Sequence, residues 1–586
     1  MKKFIPVLFL STLLFSCSPA PTTEPSKSAE PTISENSIVS NKSPNYYPNV
    51  SQSATPSTAP TVAPSSAASY MPMPAASAAA SVAPVSASTA PTSVAGNYVA
   101  DESIQNQAPS IMKPSTAPNT EQYDKIFENS FLDPYKDPLS TFSIDVDTAS
   151  YSNIRRFLTS GAKPPKDAVR IEEMINYFTY DYPQPTDGTP FSINIETNTS
   201  PWKEGNKIVS IGLQGKKISK DNMPPANIVF LIDTSGSMSD YNKLPLLKEA
   251  FKILTKEMRE QDKVSIVTYA GSAGLALPPT SGANKDAIIS ALDNLESRGS
   301  TAGAQGIIQA YETAKQSFIK GGNNRVILAT DGDFNVGIST DDELVKLIEQ
   351  KRQEGIFLSV LGFGMGNYKD SKIEKLADKG NGNYAYIDNL NEAKKVFSSQ
   401  LAGTLLTIAK DVKIQIEFNP AKVKSYRLIG YENRLLNKED FNDDKKDAGE
   451  LGAGHTVTAL YEIEPNNGSS NVDPLKYQPN TSSDNFKSSE IMTVKFRYKE
   501  PNQEQSKLLV KALTDGQNDS FSKNINFASA VAGFGMLLRD SGYKGNLTYA
   551  KVLELANKYK DQDIEGYRKE FIDLVSKANE IDNRRY

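Results

Sequence analysis

The chain of 586 residues holds one cysteine, one histidine and one tryptophan. A single cysteine cannot close a disulfide within the chain. A single histidine leaves too few soft or imidazole ligands for a zinc site. A Ser-His-Asp triad would rest on His455 alone. No G-x-x-x-x-G-K-[ST] stretch occurs, so a P-loop nucleotide site lacks its phosphate cradle. Gly362-Phe363-Gly364-Met365-Gly366 lacks the last, helix-opening glycine of a dinucleotide loop, and Gly271-Ser272-Ala273-Gly274 is not a nucleophile elbow. Net charge is −5, and no basic cluster offers a surface for nucleic acid. Hydrophobic content is 38%, low for a globular chain, so a sizeable part is expected outside any core.

Long apolar runs are missing too. Phe4 to Phe15, after Met1-Lys2-Lys3, is too short to span a bilayer and reads as a secretory signal. It ends in Leu14-Phe15-Ser16-Cys17, which resembles the bacterial lipobox. That resemblance implies cleavage before Cys17 and acylation of its thiol and new amino group, with palmitate-type chains holding the protein to a membrane. Ser18 rather than aspartate follows, which in the enterobacterial sorting rule favours the outer membrane of the cell envelope. Residues 18–119 are Ser, Ala, Pro and Thr with no period, a composition that cannot offset its ordering entropy. This segment reads as a disordered tether of roughly 100 residues with a reach of about 60 Å.

What the chain does have is the stretch Asn227-Ile228-Val229-Phe230-Leu231-Ile232-Asp233-Thr234-Ser235-Gly236-Ser237. Its continuous apolar run, bounded by turn residues, reads as a strand buried on both faces of a parallel sheet. The turn after such a strand lies at the carboxyl edge, where open α/β sheets place ligands. Asp233, Ser235 and Ser237 alternate, so an extended turn can aim three oxygens at one point. Oxygen-only donors suit a hard cation, Mg²⁺ before Ca²⁺.

Asp233-Thr234-Ser235-Gly236-Ser237 resembles the D-x-S-x-S motif of von Willebrand factor A and integrin I domains, where it forms a metal-ion-dependent adhesion site. The family adds a threonine from a later loop and an aspartate after a later strand. Here these are Thr301, in Arg298-Gly299-Ser300-Thr301, and Asp331, which closes the strand Arg325 to Thr330. The resemblance therefore implies a site made of Asp233, Ser235, Ser237, Thr301 and Asp331. It implies Mg²⁺, or alternatively Mn²⁺ or Ca²⁺, and a partner protein offering a carboxylate to the ion. Asp333 stays outside this set. Strands and helices then alternate: Lys263 to Tyr269, Lys285 to Leu295, Gly303 to Phe318, Asp341 to Gln353, Ile356 to Phe363, Ser371 to Asp378 and Tyr384 to Ile387. This order implies a doubly wound, mainly parallel sheet.

Before this domain, Phe142 to Asp147 reads as a strand, and Thr148 to Leu158 and Ala168 to Tyr180 as helices. Ser140 to Phe178 resembles the N-terminal module of bacterial von Willebrand-type lipoproteins. Asp145-Val146-Asp147-Thr148 also fits the nucleophile motif of haloacid-dehalogenase phosphatases, but the stretch leaves little room for that fold. The pair reads better as a helix-entry cap or a minor ion-binding loop. After the domain, alternating runs at Val412 to Phe418, Lys424 to Ile429, Thr456 to Ile463 and Met492 to Tyr498 read as antiparallel strands. With the strands at 190–215 they are expected to form a β-sandwich into which the α/β domain is inserted. Asn466 to Ser489 reads as a polar loop and His455 as a solvated turn residue. Three amphipathic helices follow from Asn524, and Phe527 to Leu538 resembles the C-terminal module of the same lipoproteins.

The expected segments are a signal peptide at 1–16, the tether at 17–120, an N-terminal module at 121–222 and the α/β domain at 223–405. An antiparallel region at 406–520 and a helical region at 521–586 complete the chain. The expected function is metal-dependent binding of a protein partner by an envelope lipoprotein, not catalysis. A metal-independent scaffold or chaperone-like partner of an ATPase assembly is the alternative, and an ion-assisted hydrolase the third.

Overall fold

Why the run Ile228 to Ile232 is apolar throughout is plain from its place. The computed structural model describes residues 121–299, 303–332, 341–366, 368–466, 488–516 and 522–584, all within one compact unit. The signal, Cys17, the tether, Thr301, Asp333 and residues 467–487 of the polar loop lie outside the described residues. The chain begins with β1 (Leu139–Ser143), α1 (Ala149–Thr159), α2 (Ile171–Asn176), β2 (Phe191–Thr199) and β3 (Lys207–Gly215). There follow β4 (Ala226–Asp233), α3 (Leu244–Glu257), β5 (Lys263–Tyr269), β6 (Ala273–Ser281), α4 (Lys285–Asp293) and α5 (Gly303–Gln316). Next come β7 (Asn323–Thr330), α6 (Asp341–Gln353), β8 (Ile356–Phe363), α7 (Asp370–Lys379), β9 (Tyr384–Ile387), α8 (Leu390–Lys394) and α9 (Leu401–Leu405). The last third holds β10 (Thr407–Phe418), β11 (Val423–Ile429), β12 (Gly449–Gly452), β13 (Thr456–Pro465), β14 (Glu490–Lys499) and β15 (Lys507–Thr514). It ends in α10 (Lys523–Arg539), α11 (Tyr549–Tyr559) and α12 (Tyr567–Asn583).

One sheet runs β6-β5-β4-β7-β8-β9, parallel except for the β5–β6 pair. Every residue of β4 is buried. Ile228, Phe230 and Ile232 pack on Leu247, Phe251 and Leu254 of α3, while Val229 and Leu231 face Ile307, Tyr311 and Ile348 on the other side. β6 was not expected. Its two prolines, Pro278 and Pro279, disguise it, and they are tolerated because β6 is an edge strand.

Two antiparallel sheets, β1-β10-β14-β15 with β12 also on β10, and β11-β13-β3-β2, enclose one core and form the sandwich. The chain leaves it after β3 and returns at β10, so the α/β domain is an insertion, as expected. The helical expectation at 168–180 contracts to the six residues of α2, and β1 ends at Ser143, short of Asp145.

The helices from the two ends of the chain share a core. Tyr151 of α1, Met174 of α2, Phe527 and Phe534 of α10, Val552 of α11 and Phe571 of α12 pack together against Ile208 of β3 and Leu460 of β13. Thus α1 and α2, and α10, α11 and α12, far apart in sequence, build a single helical layer. α10 is apolar all round because it is buried on nearly every side. Among the described residues no helix is long and apolar enough to cross a membrane.

Candidate metal centre

β4 and β7 are adjacent and parallel, with Ile232 opposite Ala329. Their carboxyl ends therefore deliver Asp233 and Asp331 side by side, both fully buried. The turn after β4 folds on its own carboxylate, since Asp233 Oδ1 accepts from the Ser235 amide at 2.9 Å. Ser235 Oγ lies 3.0 Å from Ser237 Oγ. Ser235 is buried and Ser237 exposed, so the oxygens run from the sheet edge to the surface. The turn is tied to the loop before α5: Arg298 N donates to Thr234 O at 2.7 Å and Gly236 N to Gly299 O at 3.1 Å. Thr301 stands two residues beyond Gly299, outside the described residues. Tyr269 OH donates to Asp233 Oδ2 at 3.2 Å. Burial pushes the Asp233 carboxyl up to about 6, and the Asp331 charge adds to this against the Ser235 hydrogen bonds.

A residue that sequence reasoning missed completes the site. Lys243, at the entry to α3, is buried, and its Nζ donates to Asp331 Oδ2 at 2.8 Å. Its stem crosses Gly364, whose φ is +74°, and a Cβ on Gly364 would come 2.5 Å from Lys243 Cε. Nothing in the sequence marks this lysine, because lysines at helix starts are ordinarily solvated.

The donor set suits a hard divalent ion. Two buried carboxylates and two hydroxyls, all oxygen, converge on a sheet edge open at Ser237. The Asp331 charge adds to the cost of burying the Asp233 carboxylate, which a cation beside them would relieve.

A second acidic cluster has a different character. Asp145, Asp147 and Glu374 bring carboxylate oxygens within 4.8 Å of one another. Arg434 fills the centre: Nε lies 3.2 Å from Asp145 Oδ2, and Nη2 lies 3.1 Å from Asp147 Oδ2 and 3.2 Å from Glu374 Oε1. The cluster is thus an ion-pair clamp. Asp145 and Asp147 do not cap α1, whose N-cap Thr148 makes no side-chain cap bond. Instead Asp147 Oδ1 accepts from Tyr384 N of β9 at 2.8 Å.

His455 also departs from expectation. It is half-buried, with its ring laid over Gly403, where a Cβ would come 2.1 Å from the imidazole. Its Nδ1 is shut off from water and has no hydrogen-bond partner among the described residues. Burial, with a smaller effect of the Lys395 charge, pulls the imidazole down to about 4.

Residues 227–399 match the family model described as von Willebrand factor type A domain. Residues 117–210 match one described as von Willebrand factor, and residues 403–581 one described as "Uncharacterized protein YfbK, C-terminal". Fold and matches together define a protein built on a von Willebrand factor type A domain, a module of the protein-interaction class. The YfbK protein of Escherichia coli (strain K12) is 43% identical over 472 residues, spanning 79% of this chain and 82% of that protein. The chain belongs to the YfbK family. Protein sll0103 of Synechocystis sp. is 28% identical over 190 residues, 32% of this chain and 43% of its own. The magnesium-chelatase 67 kDa subunit of Chlorobaculum tepidum is 29% identical over 191 residues, 30% of each chain. Among solved structures, a von Willebrand factor type A protein from Catenulispora acidiphila covers 64% of this chain and 88% of its own at 15% identity, with a TM-score of 0.36. BatB from Bacteroides thetaiotaomicron covers 30% of this chain and 97% of its own at 22% identity, with a TM-score of 0.27.

Proposed function

We propose that this protein is an envelope lipoprotein, anchored through Cys17, that binds a protein partner through a divalent ion at Asp233, Ser235, Ser237, Thr301 and Asp331. The observation that carries this reading is the convergence of two fully buried carboxylates with the Ser235 and Ser237 hydroxyls at one open sheet edge. A bound Mg²⁺ would supply an electrophilic position there for a carboxylate of the partner. The chain's own residues do the rest. Asp233 and Asp331 carry the charge, and the Ser235 amide orients Asp233. The bonds from Arg298 and Gly236 to the neighbouring turn and loop hold the two loops at one spacing.

The test is capture from envelope extract by the full-length chain, wild type and Asp233→Ala, each in Mg²⁺ and in chelator. A partner retained only by wild type in Mg²⁺ supports ion-bridged recognition. A partner held equally in all four conditions sinks it and points to the sandwich and helical layer as a metal-independent scaffold.

A further inference from the structure

We infer that Lys243 is a resident counter-cation of the metal centre, which shares Asp331 with the divalent ion and so sets the affinity of the site. This rests on the reading that the site takes such an ion. Three observations carry it. The ammonium is buried and lies 2.8 Å from Asp331 Oδ2, one of the two carboxylates assigned to the ion. The stem has a built channel, since Gly364 leaves room that any Cβ would fill. A second carboxylate, on the exposed Asp240, stands 4.0 Å from the same Nζ.

The charge balance follows. Asp233 and Asp331 offer two negative charges, and Lys243 returns one, so an arriving divalent ion meets a net charge of −1 rather than −2. Ligand charge count is a main determinant of affinity at oxygen sites. An ammonium left on Asp331 would repel the ion, strongly where water is scarce, so it yields that oxygen as the ion binds. The exchange needs no large movement. Lys243 N stays bonded to Asp240 O at 2.9 Å and Leu247 N to Lys243 O at 2.9 Å, so the backbone holds the start of α3 while the side chain turns. Nζ then passes from Asp331 toward Asp240 at the surface, where the ammonium regains water. The buried carboxylate is thus never left without a cation.

The experiment is a titration of Mn²⁺ alone against the purified full-length chain, following the free-ion electron paramagnetic resonance signal. Wild type, Lys243→Gln, Lys243→Arg, Asp240→Asn and Asp233→Ala are compared. Lys243→Gln is expected to bind Mn²⁺ about tenfold more tightly than wild type, since one repelling charge is gone. Lys243→Arg is expected to bind no more tightly than wild type. Asp240→Asn keeps Lys243 and changes only a surface residue, so it tests the exchange even where Lys243→Gln fails to fold. It is expected to weaken Mn²⁺ binding by about threefold, because the ammonium loses its alternative partner. Wild-type affinity in both Lys243→Gln and Asp240→Asn, with binding abolished in Asp233→Ala, overturns the role of Lys243 and leaves the metal site standing. Failure of wild type and every variant to bind Mn²⁺ overturns the metal site itself, and the role of Lys243 with it.

Discussion

Arg434 Nη2 lies 3.1 Å from Asp147 Oδ2, although the two residues are 287 positions apart in the chain. The same guanidinium reaches Asp145, Glu374 and, at 2.7 Å, Asp378. It therefore ties the segment before α1 to α7 of the inserted domain and to the loop after β11. Burial opposes the Arg434 charge, but the four carboxylates outweigh it and hold its pKa above the ordinary value.

Arg434→Met is expected to destabilise the fold by about 3–5 kcal/mol, because it leaves buried carboxylates without their cation. The loss should shrink as the medium is acidified. Burial already pushes Glu374 up to about 7, and burial with the Asp145 charge pushes Asp147 up. Carboxyls with raised native pKa values bind protons more tightly when folded, so stability is regained as pH falls through those values. Urea denaturation of wild type and Arg434→Met at pH 8 and pH 6 measures both effects. A variant as stable as wild type at pH 8 would show the clamp to be energetically silent.

Arg155 plays a matching part at the other end of the domain. It lies 2.7 Å from Glu392 of α8 and 2.9 Å from Glu570 of α12, and it also pairs with Asp388. One α1 side chain thus joins the inserted domain to the C-terminal helix. Arg155→Ala is expected to cost about 3 kcal/mol and to raise hydrogen exchange in α12 and α8 before it does so in the central sheet. Uniform exchange across all three would show that Arg155 contributes to global stability without linking these elements.

His455 gives a second pH dependence, of opposite sign. Its folded pKa is pulled to about 4, below the ordinary 6.5. Between these values the unfolded chain takes a proton that the native imidazole refuses, so stability contributed by neutral His455 is lost as pH falls from 6.5 to 4. The wild-type loss over this window is expected to exceed that of His455→Gln by about 2 kcal/mol. Comparing the two proteins cancels the carboxylate contributions. A difference between them that stays constant from pH 7 to pH 4.5 would mean that His455 titrates as in water.

Periodicity and edge chemistry made much of this molecule readable from sequence. The unbroken apolar run Ile228 to Ile232 of β4 read as a strand buried on both faces, and its abrupt polar end put Asp233 at the ligand edge. The alternating runs at 190–215 and 410–500 marked the strands of the sandwich, although β3 and β13 are buried on both faces, against the sandwich core and the helical layer. What stayed hidden depends on partners far away in the chain. Arg434 looks like any surface arginine until Asp145 and Asp147 are folded onto it. Lys243 is an ordinary helix-start lysine until β7 delivers Asp331. His455, just after Gly452 and Gly454, reads as exposed because Gly403, the residue it covers, lies 52 positions earlier in the sequence. β6 was lost because local proline chemistry outweighs the one long-range fact, its edge position, that permits it.

The helical layer rests on a close approach between the two ends of the chain, and this can be tested directly. Gly535 of α10 faces α2, where a Cβ would come 2.8 Å from Ile171 Cγ1 and 3.1 Å from Met174 Sδ. In an isolated helix, Gly→Ala is favourable by about 1 kcal/mol. Here the added methyl must displace a β-branched side chain in a filled core, which costs about 1–3 kcal/mol. Gly535→Ala is therefore expected to be net destabilising, by up to about 2 kcal/mol once the helix gain is subtracted. Ile171→Ala alone should cost about 2–4 kcal/mol through the cavity it leaves. In the double variant the Gly535→Ala methyl enters space that Ile171 has vacated, so the two losses should fall short of their sum by about 1 kcal/mol or more. Urea midpoints of the four proteins give this coupling. Strict additivity would mean that α2 and α10 do not meet at this point and that the two ends of the chain are held together elsewhere in the layer.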